Sequence, residues 1–155
     1  MKIQRVYIDT SVIGGCFDSE FALWSNGLMQ DFQMGLFRPV ISDLTTVEIN
    51  VAPDFVQNKY AELLDLEHDM LEVGDEALDL LGSYQMREVI GDKYRNDMLH
   101  IALATVAEVD ILVSWNFKHI VHFDKIRRFN AINSELGYKH LDIHSPREVT
   151  HYDQD

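Results

Sequence analysis

The stretch DMLHIALATVAEVDILVSWN, residues 97–116, joins a helix pattern directly to a strand pattern. Its first half is almost continuously apolar after Asp97, which predicts a helix over residues 97–107 that is buried on more than one face. Residues 111–113 form a short, continuous apolar run, which is typical of a parallel strand covered on both sides. A helix followed at once by such a strand is the repeating unit of an α/β fold.

The same alternation extends outward to both ends of the chain. We predict strands at residues 5–8, 38–42, 70–73, 111–113 and 140–143, with a further short strand at 120–121. We predict helices at residues 21–36, 54–69, 75–87, 97–107 and 129–136, and a short helix that ends near residue 50. Asn96 is the expected N-cap of the helix at 97–107. The sequence therefore predicts one domain over residues 1–155, an α/β/α sandwich of three layers with a central, mostly parallel sheet.

Composition restricts the class of protein further. The 155 residues are 46% hydrophobic, which is enough for a sizeable core, and Cys16 is the single cysteine. One cysteine rules out an internal disulfide and is typical of a reduced compartment. The amino terminus lacks the pattern of a secretory signal, and no apolar stretch reaches the roughly 18 residues of a membrane span. We predict a cytoplasmic protein that does not enter a membrane.

The net charge of −13 is unevenly distributed. Residues 1–85 hold 4 Lys or Arg against 15 Asp or Glu, whereas residues 86–155 hold 9 against 11. The second part contains the one basic cluster, which consists of Lys118, Lys125, Arg127 and Arg128. Nucleic-acid binders usually present such cations to phosphates. The alternative is an acidic, soluble protein whose basic cluster lies on a solvated helix face.

Four polar residues fall where predicted strands end or where helices begin. Asp9 follows the strand at 5–8, Glu48 opens a helix after the strand at 38–42, and Asp97 starts the helix at 97–107. Asn116 ends the apolar run after residue 111. Ligands of α/β sheets bind outside the carboxyl ends of the strands, and gathered carboxylates need a hard cation to offset their repulsion. This pattern predicts a Mg²⁺ or Mn²⁺ site.

Each of these positions also has an ordinary structural explanation. Asp9 can accept a backbone hydrogen bond at a turn, and Glu48 fits a capping box in which it reaches back to the amide of Thr45. Asp97 complements the helix dipole, and Asn116 is a common turn residue. The shared edge and the shared acidic sign of the first three favour a metal site over three unrelated caps.

The ordered set of motifs resembles the PIN domain. It comprises YIDTSVI at residues 7–13, Glu48 after the second strand, Asn96-Asp97 before an Ala-rich helix, and SWNF at residues 114–117. The similarity covers essentially the whole chain. It is to the small single-domain members, which include the toxins of VapBC-type toxin–antitoxin pairs.

This resemblance implies a Mg²⁺- or Mn²⁺-dependent endoribonuclease in which Asp9, Glu48 and Asp97 ligate the metal. A metal-activated water would attack phosphorus and leave 5′-phosphate and 3′-hydroxyl ends. It also implies an RNA substrate, a small basic antitoxin-like partner and a homodimer, to whose interface the helix at 21–36 would contribute.

One position departs from the family pattern. PIN domains commonly carry an Asp on the rim of the fourth strand, where this chain has Asn116. An amide still offers a carbonyl oxygen, but the missing charge should weaken the binding of a second ion. We assign catalysis to Asp9, Glu48, Asp97 and Asn116, and substrate binding to Thr10, Ser11, Ser114, Lys118 and His119. A zinc site is not expected, because the histidines lack accompanying cysteines.

Two other functions fit parts of the pattern. Asn116 and the acidic surface allow a catalytically weakened module that binds a basic protein or RNA without efficient cleavage. A phospho-accepting receiver domain is disfavoured, because the first strand ends in one carboxylate rather than an acidic pair.

Overall fold

The computed structural model describes residues 2–151, in which helices and parallel strands alternate. The strands are β1 (Gln4–Ile8), β2 (Phe37–Ser42), β3 (Asp69–Leu71), β4 (Ile111–Val113) and β5 (Asp142–His144). The α-helices are α1 (Thr10–Gly15), α2 (Ala22–Gln33), α3 (Asp43–Ile49), α4 (Asp54–Leu64), α5 (Asp75–Met86), α6 (Arg95–Val106), α7 (Phe123–Glu135) and α8 (Pro146–Val149). Among these described helices, none has both the length and the apolar character needed to span a membrane.

The five strands form one sheet in the order β3-β2-β1-β4-β5, and every neighbouring pair is parallel. β1 lies at the centre, and its Val6 is in register with Pro39 on one side and Ile111 on the other. Parallel neighbours need crossover connections, and these place helices over both faces of the sheet. The predicted α/β/α sandwich is therefore confirmed, with a sheet that is parallel throughout.

Successive side chains of β1 enter opposite halves of the core, as the two-residue period of a strand requires. Tyr7 packs in the cluster formed with α5, α6 and α7, whereas Val6 and Ile8 pack with α1, α2 and α4. All three side chains are fully buried. A central strand buried on both faces keeps the residue at its end, Asp9, in a constant position.

A close approach of the backbone positions the segment that follows β4. The indole of Trp115 donates a hydrogen bond to the Ser25 hydroxyl of α2 at 2.8 Å. Both side chains pass over Gly15, where a Cβ atom would lie only 2.7 Å from each of them. Any larger residue at position 15 would displace Trp115, and with it the neighbouring residues Ser114 and Asn116.

Several predicted boundaries are wrong. Residues 120–121 form a turn rather than a strand, because the amides of Ile120 and Val121 both donate to the carbonyl of Asn116. α7 begins at Phe123 instead of residue 129; its first two turns are mostly charged, which obscured the three-residue spacing of the apolar residues Phe123, Ile126 and Phe129. Asn96 is not an N-cap: α6 begins at Arg95, directly after a 3-10 turn over Asp92–Tyr94.

Candidate active site at the carboxyl ends of the strands

The four polar residues singled out in the sequence lie at the carboxyl-end edge of the sheet. Asp9 directly follows β1, and Asn116 lies just after β4. Glu48 is in α3, the helix that follows β2, and Asp97 is in the first turn of α6. β1 lies between β2 and β4, so the ends of these three strands surround Asp9.

Asp9 is the most deeply buried of the four, with 5% of its surface exposed. Its two carboxylate oxygens accept hydrogen bonds from the hydroxyls of Ser11 and Ser114, each at 2.6 Å. Burial raises the pKa of Asp9, and the charge of Glu48 raises it further, against the opposing effect of the two hydroxyls and of His100. Asp9 is thus a buried carboxylate whose charged form lacks full compensation.

Asp97 and Asn116 form a direct pair. The Asn116 amide donates from Nδ2 to Asp97 Oδ2 at 3.1 Å. Asn116 Oδ1 accepts from the backbone amides of Lys118 and His119 at 3.2 and 3.0 Å, so both ends of its side chain are engaged. Burial raises the pKa of Asp97, and the charge of Asp9 adds to this effect although the Asn116 hydrogen bond opposes it. Asn116 therefore orients Asp97 while its oxygen closes the turn.

Glu48 belongs to a buried line of hydrogen bonds that crosses the sheet edge. Glu48 Oε1 lies 2.6 Å from His100 Nε2, and His100 Nδ1 lies 2.6 Å from the Tyr7 hydroxyl. Tyr7 continues the line to the Ser42 hydroxyl at 2.8 Å. Because a carboxylate can only accept, His100 donates to Glu48 from Nε2, and the Tyr7 hydroxyl links His100 Nδ1 to Ser42.

The hydrogen-bond partners of Glu48 lower its pKa. They also differ from those of the capping box that the sequence allows at this position. Burial would raise the pKa, but the hydrogen bonds and charge of His100, together with a hydrogen bond from Thr10, lower it overall. The predicted bond from Glu48 to the amide of Thr45 is wrong, because that amide donates to the Ser42 hydroxyl and Ser42 is the N-cap of α3. Glu48 is thereby available to the active-site edge.

Three residues assigned to substrate binding instead contact the carboxylates. The Thr10 hydroxyl donates to Glu48 at 2.9 Å, while those of Ser11 and Ser114 donate to Asp9. Ser11 also accepts from the amide of Trp115 at 3.0 Å, and Ser114 accepts from the amide of Asn116 at 2.9 Å. These hydroxyls hold the acidic groups in position, and contact with substrate stays a prediction for them.

Lys118 and His119 lie beside the Asp97–Asn116 pair. Lys118 is exposed, whereas His119 is only 8% exposed and packs against the ring of Tyr94 at a centroid distance of 3.9 Å. Neither ring nitrogen of His119 has a hydrogen-bond partner among residues 2–151. Burial lowers the pKa of His119, although the charge of Asp97 opposes this effect.

Three contributors to this edge, His100, Tyr7 and Tyr94, are not among the residues assigned from the sequence. His100 links Glu48 to Tyr7, whose position inside a strand gives no sign of function. One signal was present: His100 follows Asp97 by three residues, a spacing that places both on one face of a helix. No sequence pattern connects Tyr94 with His119, although their rings are in contact.

The side chains at this edge determine whether a metal ion can bind there. Across residues 2–151, no three His, Cys, Asp or Glu side chains are arranged as a ready-made site for an ion. The chemistry of the donors nevertheless fits a hard cation, because Asp9 and Asp97 are neighbouring carboxylates whose pKa values are both raised. In the described part of the chain, neither they nor Glu48 lies within ion-pair distance of a Lys or Arg. A divalent cation would supply the missing positive charge.

The fold is similar to that of solved toxin–antitoxin proteins. A chain of the VapBC2 structure from Rickettsia felis, bound to a DNA fragment from its promoter, matches with a TM-score of 0.59 and 14% identity, over 91% of this chain and 98% of that one. A chain of a toxin–antitoxin complex from Klebsiella pneumoniae matches with a TM-score of 0.53 and 14% identity, over 73% of this chain and 88% of that one. These likenesses confirm, at the level of the fold, the resemblance to VapC-like PIN domains. No protein-family model and no curated protein sequence matches the chain.

Proposed function

We propose that this chain is a Mg²⁺- or Mn²⁺-dependent endoribonuclease and the toxin-like component of a toxin–antitoxin pair. The observation that carries the proposal is the pair Asp9 and Asp97, two neighbouring carboxylates at the ligand-binding edge of a parallel sheet with no Lys or Arg partner in residues 2–151. The fold shared with chains of two toxin–antitoxin structures supports the biological context.

Each residue at the edge has a distinct part in this function. Asp9 and Asp97 would hold the cation directly, and Glu48 would ligate it or bind one of its waters. Bound Mg²⁺ or Mn²⁺ supplies a water of lowered pKa and polarises the scissile phosphate. Asn116 orients Asp97 through its amide.

The remaining groups keep the acidic residues in place before substrate arrives. The hydroxyls of Ser11 and Ser114 hold both oxygens of Asp9, and His100 together with Thr10 holds Oε1 of Glu48. Such outer hydrogen bonds fix the orientation of ligating groups and limit reorganisation during the reaction. Lys118 lies in the turn that follows β4 and would contact the RNA backbone.

The test is cleavage of RNA by the purified chain with Mn²⁺, with Mg²⁺, or with EDTA. We expect metal-dependent products with 5′-phosphate and 3′-hydroxyl ends, and no products from Asp97→Asn. Asp142→Asn is the matched control, because Asp142 begins β5 at the opposite end of the strands and is exposed. Equal activity of the wild type and Asp97→Asn would exclude the proposed role of Asp97.

A second candidate function is binding of a basic protein or RNA without efficient cleavage. Two observations favour it: Glu48 is engaged by His100 and Thr10, and Asn116 removes a carboxylate from the edge. It predicts that the wild type leaves RNA intact with either metal and that Asn116→Asp gains cleavage. Efficient metal-dependent turnover by the wild type would exclude this function.

The proposed partners are an antitoxin-like protein and a second copy of the chain. The net charge of −13 favours a small basic partner, and the paired rings of Phe17 and Phe55 (centroids 4.8 Å apart, each about half exposed) offer it an apolar contact. Leu23 and Met34, exposed on or next to α2, would contribute to a homodimer. Sedimentation of the wild type beside Leu23→Ser tests the dimer, and co-purification with a small basic protein encoded next to this chain tests the other partner.

A further inference from the structure

The cations of this acidic chain are divided into a paired and an unpaired set. Six of the 13 Lys and Arg residues lie within ion-pair distance of a carboxylate: Lys2, Arg5, Arg38, Lys59, Arg87 and Lys139. Six others lie between residues 93 and 128, and none has a carboxylate partner within residues 2–151: Lys93, Arg95, Lys118, Lys125, Arg127 and Arg128. Lys125 and Arg128 of this set donate to the backbone carbonyls of Glu88 and Val89, which leaves the other four cations of an acidic chain as candidates for an anionic ligand.

Two of these unpaired cations flank a single aromatic ring. The ammonium groups of Lys93 and Lys118 lie 5.1 and 5.6 Å from the centre of the Tyr94 ring. Lys93 comes from the 3-10 turn before α6 and Lys118 from the turn after β4, so two separate segments bring like charges together. The nearby Lys93 and Lys118 lower the pKa of Tyr94, in keeping with the position of both ammonium groups beside its ring.

The Tyr94 ring also makes a contact that connects it to the proposed catalytic edge. Tyr94 packs on the buried His119, whose ring nitrogens have no partner in the described residues. The amide of His119 donates to Asn116 Oδ1, and Asn116 donates to Asp97. The set Lys93, Tyr94, Lys118 and His119, here called the Tyr94 platform, is therefore joined to the proposed catalytic edge by two hydrogen bonds.

We propose that the Tyr94 platform binds the phosphodiester backbone of single-stranded RNA beside the catalytic edge. Lys93 and Lys118 contact phosphates, and Tyr94 offers a phenol and a partly exposed ring for stacking. Cations interleaved with aromatic rings are typical of surfaces that bind single strands. This assignment rests on the proposed function for its substrate class.

The test is the affinity of the chain for a fluorescently labelled 12-nucleotide oligouridylate, measured by anisotropy in EDTA at several salt concentrations. We expect Lys93→Gln/Lys118→Gln to weaken binding by roughly tenfold or more, and to reduce the slope of log K against log salt by about 1.4, the value for two phosphate contacts on a single strand. Tyr94→Ala should weaken binding by roughly tenfold through lost stacking.

The matched control is Lys2→Gln/Lys139→Gln, which also removes two positive charges. Both of those lysines pair with carboxylates, Asp110 and Glu108, at the far end of the strands. We expect the control to bind the oligonucleotide as the wild type does. Equal affinities of the two double variants, or no binding by the wild type, would overturn the proposal. Equally tight binding of polyglutamate would overturn it in favour of an acidic protein ligand.

Failure of the platform and failure of the proposed function give different results. Binding in EDTA requires no turnover, so a chain that binds through the platform yet leaves RNA intact with Mn²⁺ would exclude only the nuclease. A chain that cleaves RNA with Mn²⁺, but whose KM is unchanged in Lys93→Gln/Lys118→Gln, would exclude only the platform.

Discussion

The two ends of the central sheet treat negative charge in opposite ways. At the amino ends of the strands, Asp69 accepts hydrogen bonds from Arg5 and Arg38, each at 2.9 Å, and Arg38 foremost lowers its pKa. At the carboxyl ends, Asp9 and Asp97 are held by hydroxyls and an amide, and burial raises the pKa of both. The chain thus neutralises Asp69 with two arginines, whereas Asp9 and Asp97 stay without a cationic partner at the edge where parallel sheets usually bind ligands.

The contrast between the two ends of the sheet says more about function than the net charge of the chain does. A net charge of −13 argues against a nucleic-acid enzyme, yet Lys118, which has no carboxylate partner in residues 2–151, follows Asn116 in the turn beside Asp97, whereas the paired Arg5 and Arg38 lie at the other end of the strands. Uncompensated charge at a binding edge is a common cost of function, because such groups reduce the stability of the free protein. Four substitutions test this difference between the two ends, and they are ordered here by expected effect.

The largest effect is expected on catalysis from Asp9→Asn. Loss of one ligand removes several kcal/mol of transition-state stabilisation, which corresponds to at least roughly a hundredfold drop in kcat/KM. The same change at the other end, Asp69→Asn, should leave kcat/KM for RNA within about twofold. Equal losses in the two variants would show that neither end is specifically catalytic.

The second-largest effect is expected from a change in the buried line of hydrogen bonds that joins Ser42, Tyr7, His100 and Glu48. Tyr7→Phe leaves His100 Nδ1 and the Ser42 hydroxyl without their partner, at a cost of about 1–3 kcal/mol in the free energy of unfolding. Because His100 orients Glu48, cleavage should also fall by about 10- to 100-fold. Urea denaturation and kinetic assays measure the two effects.

Tyr60→Phe is the matched control for that substitution. Tyr60 is also buried and bonds the Thr46 hydroxyl at 2.6 Å, but it lies in the core cluster on the other face of the sheet. Its loss should reduce stability without a specific loss of cleavage. A Tyr60→Phe variant as inactive as Tyr7→Phe would contradict the positioning role of the buried line.

Asp97→Asn should increase stability while it removes activity. A carboxyl group whose pKa is raised by folding destabilises the folded state as pH rises from about 4, the ordinary value for Asp, through the raised value. At pH 7 in EDTA, neutralisation should therefore raise Tm by about 2–4 °C. Addition of Mn²⁺ should reverse this order, so that the wild type has a higher Tm than Asp97→Asn. A lower Tm for Asp97→Asn in EDTA would contradict the proposed uncompensated charge.

The smallest effect is expected from Asp69→Asn on stability. The pKa of Asp69 is lowered by folding, so its stabilising contribution is complete above pH 4 and is lost as pH falls through the lowered value. The ion pairs are partly exposed, and we expect a loss of about 1 kcal/mol at pH 7 that disappears in acid. Unfolding free energies measured from pH 7 down to pH 2 test this. A constant difference across that range would be inconsistent with titration of Asp69.

The sequence alone was enough to predict the parts of the molecule that depend on local residue pattern. The runs that became β1 and β4 are apolar and short, and the polar residues after them mark the ends of parallel strands; Asp9 and Asn116 were located in this way. The start of α7 was missed because its first two turns are mostly charged, and residues 120–121 follow the hydrogen-bonding of Asn116 rather than their own strand propensity.

The contacts that depend on distant segments could not be predicted. Glu48 and His100 are 52 residues apart, and a local capping box was the nearer explanation for Glu48. Likewise, nothing in the sequence pairs Tyr94 with His119, because their contact depends on how the turn before α6 packs on the turn after β4. Local pattern therefore predicted which residues reach the edge but not how they are held there.

The most direct test of the contrast between the two ends is a calorimetric titration of the metal-free chain with Mn²⁺. The carboxyl-end carboxylates should bind the ion in the wild type and in Asp69→Asn, whereas Asp97→Asn should lose the heat of binding. Indistinguishable titrations of the wild type and Asp97→Asn, or no binding by the wild type, would contradict a cation site at the carboxyl ends of the strands.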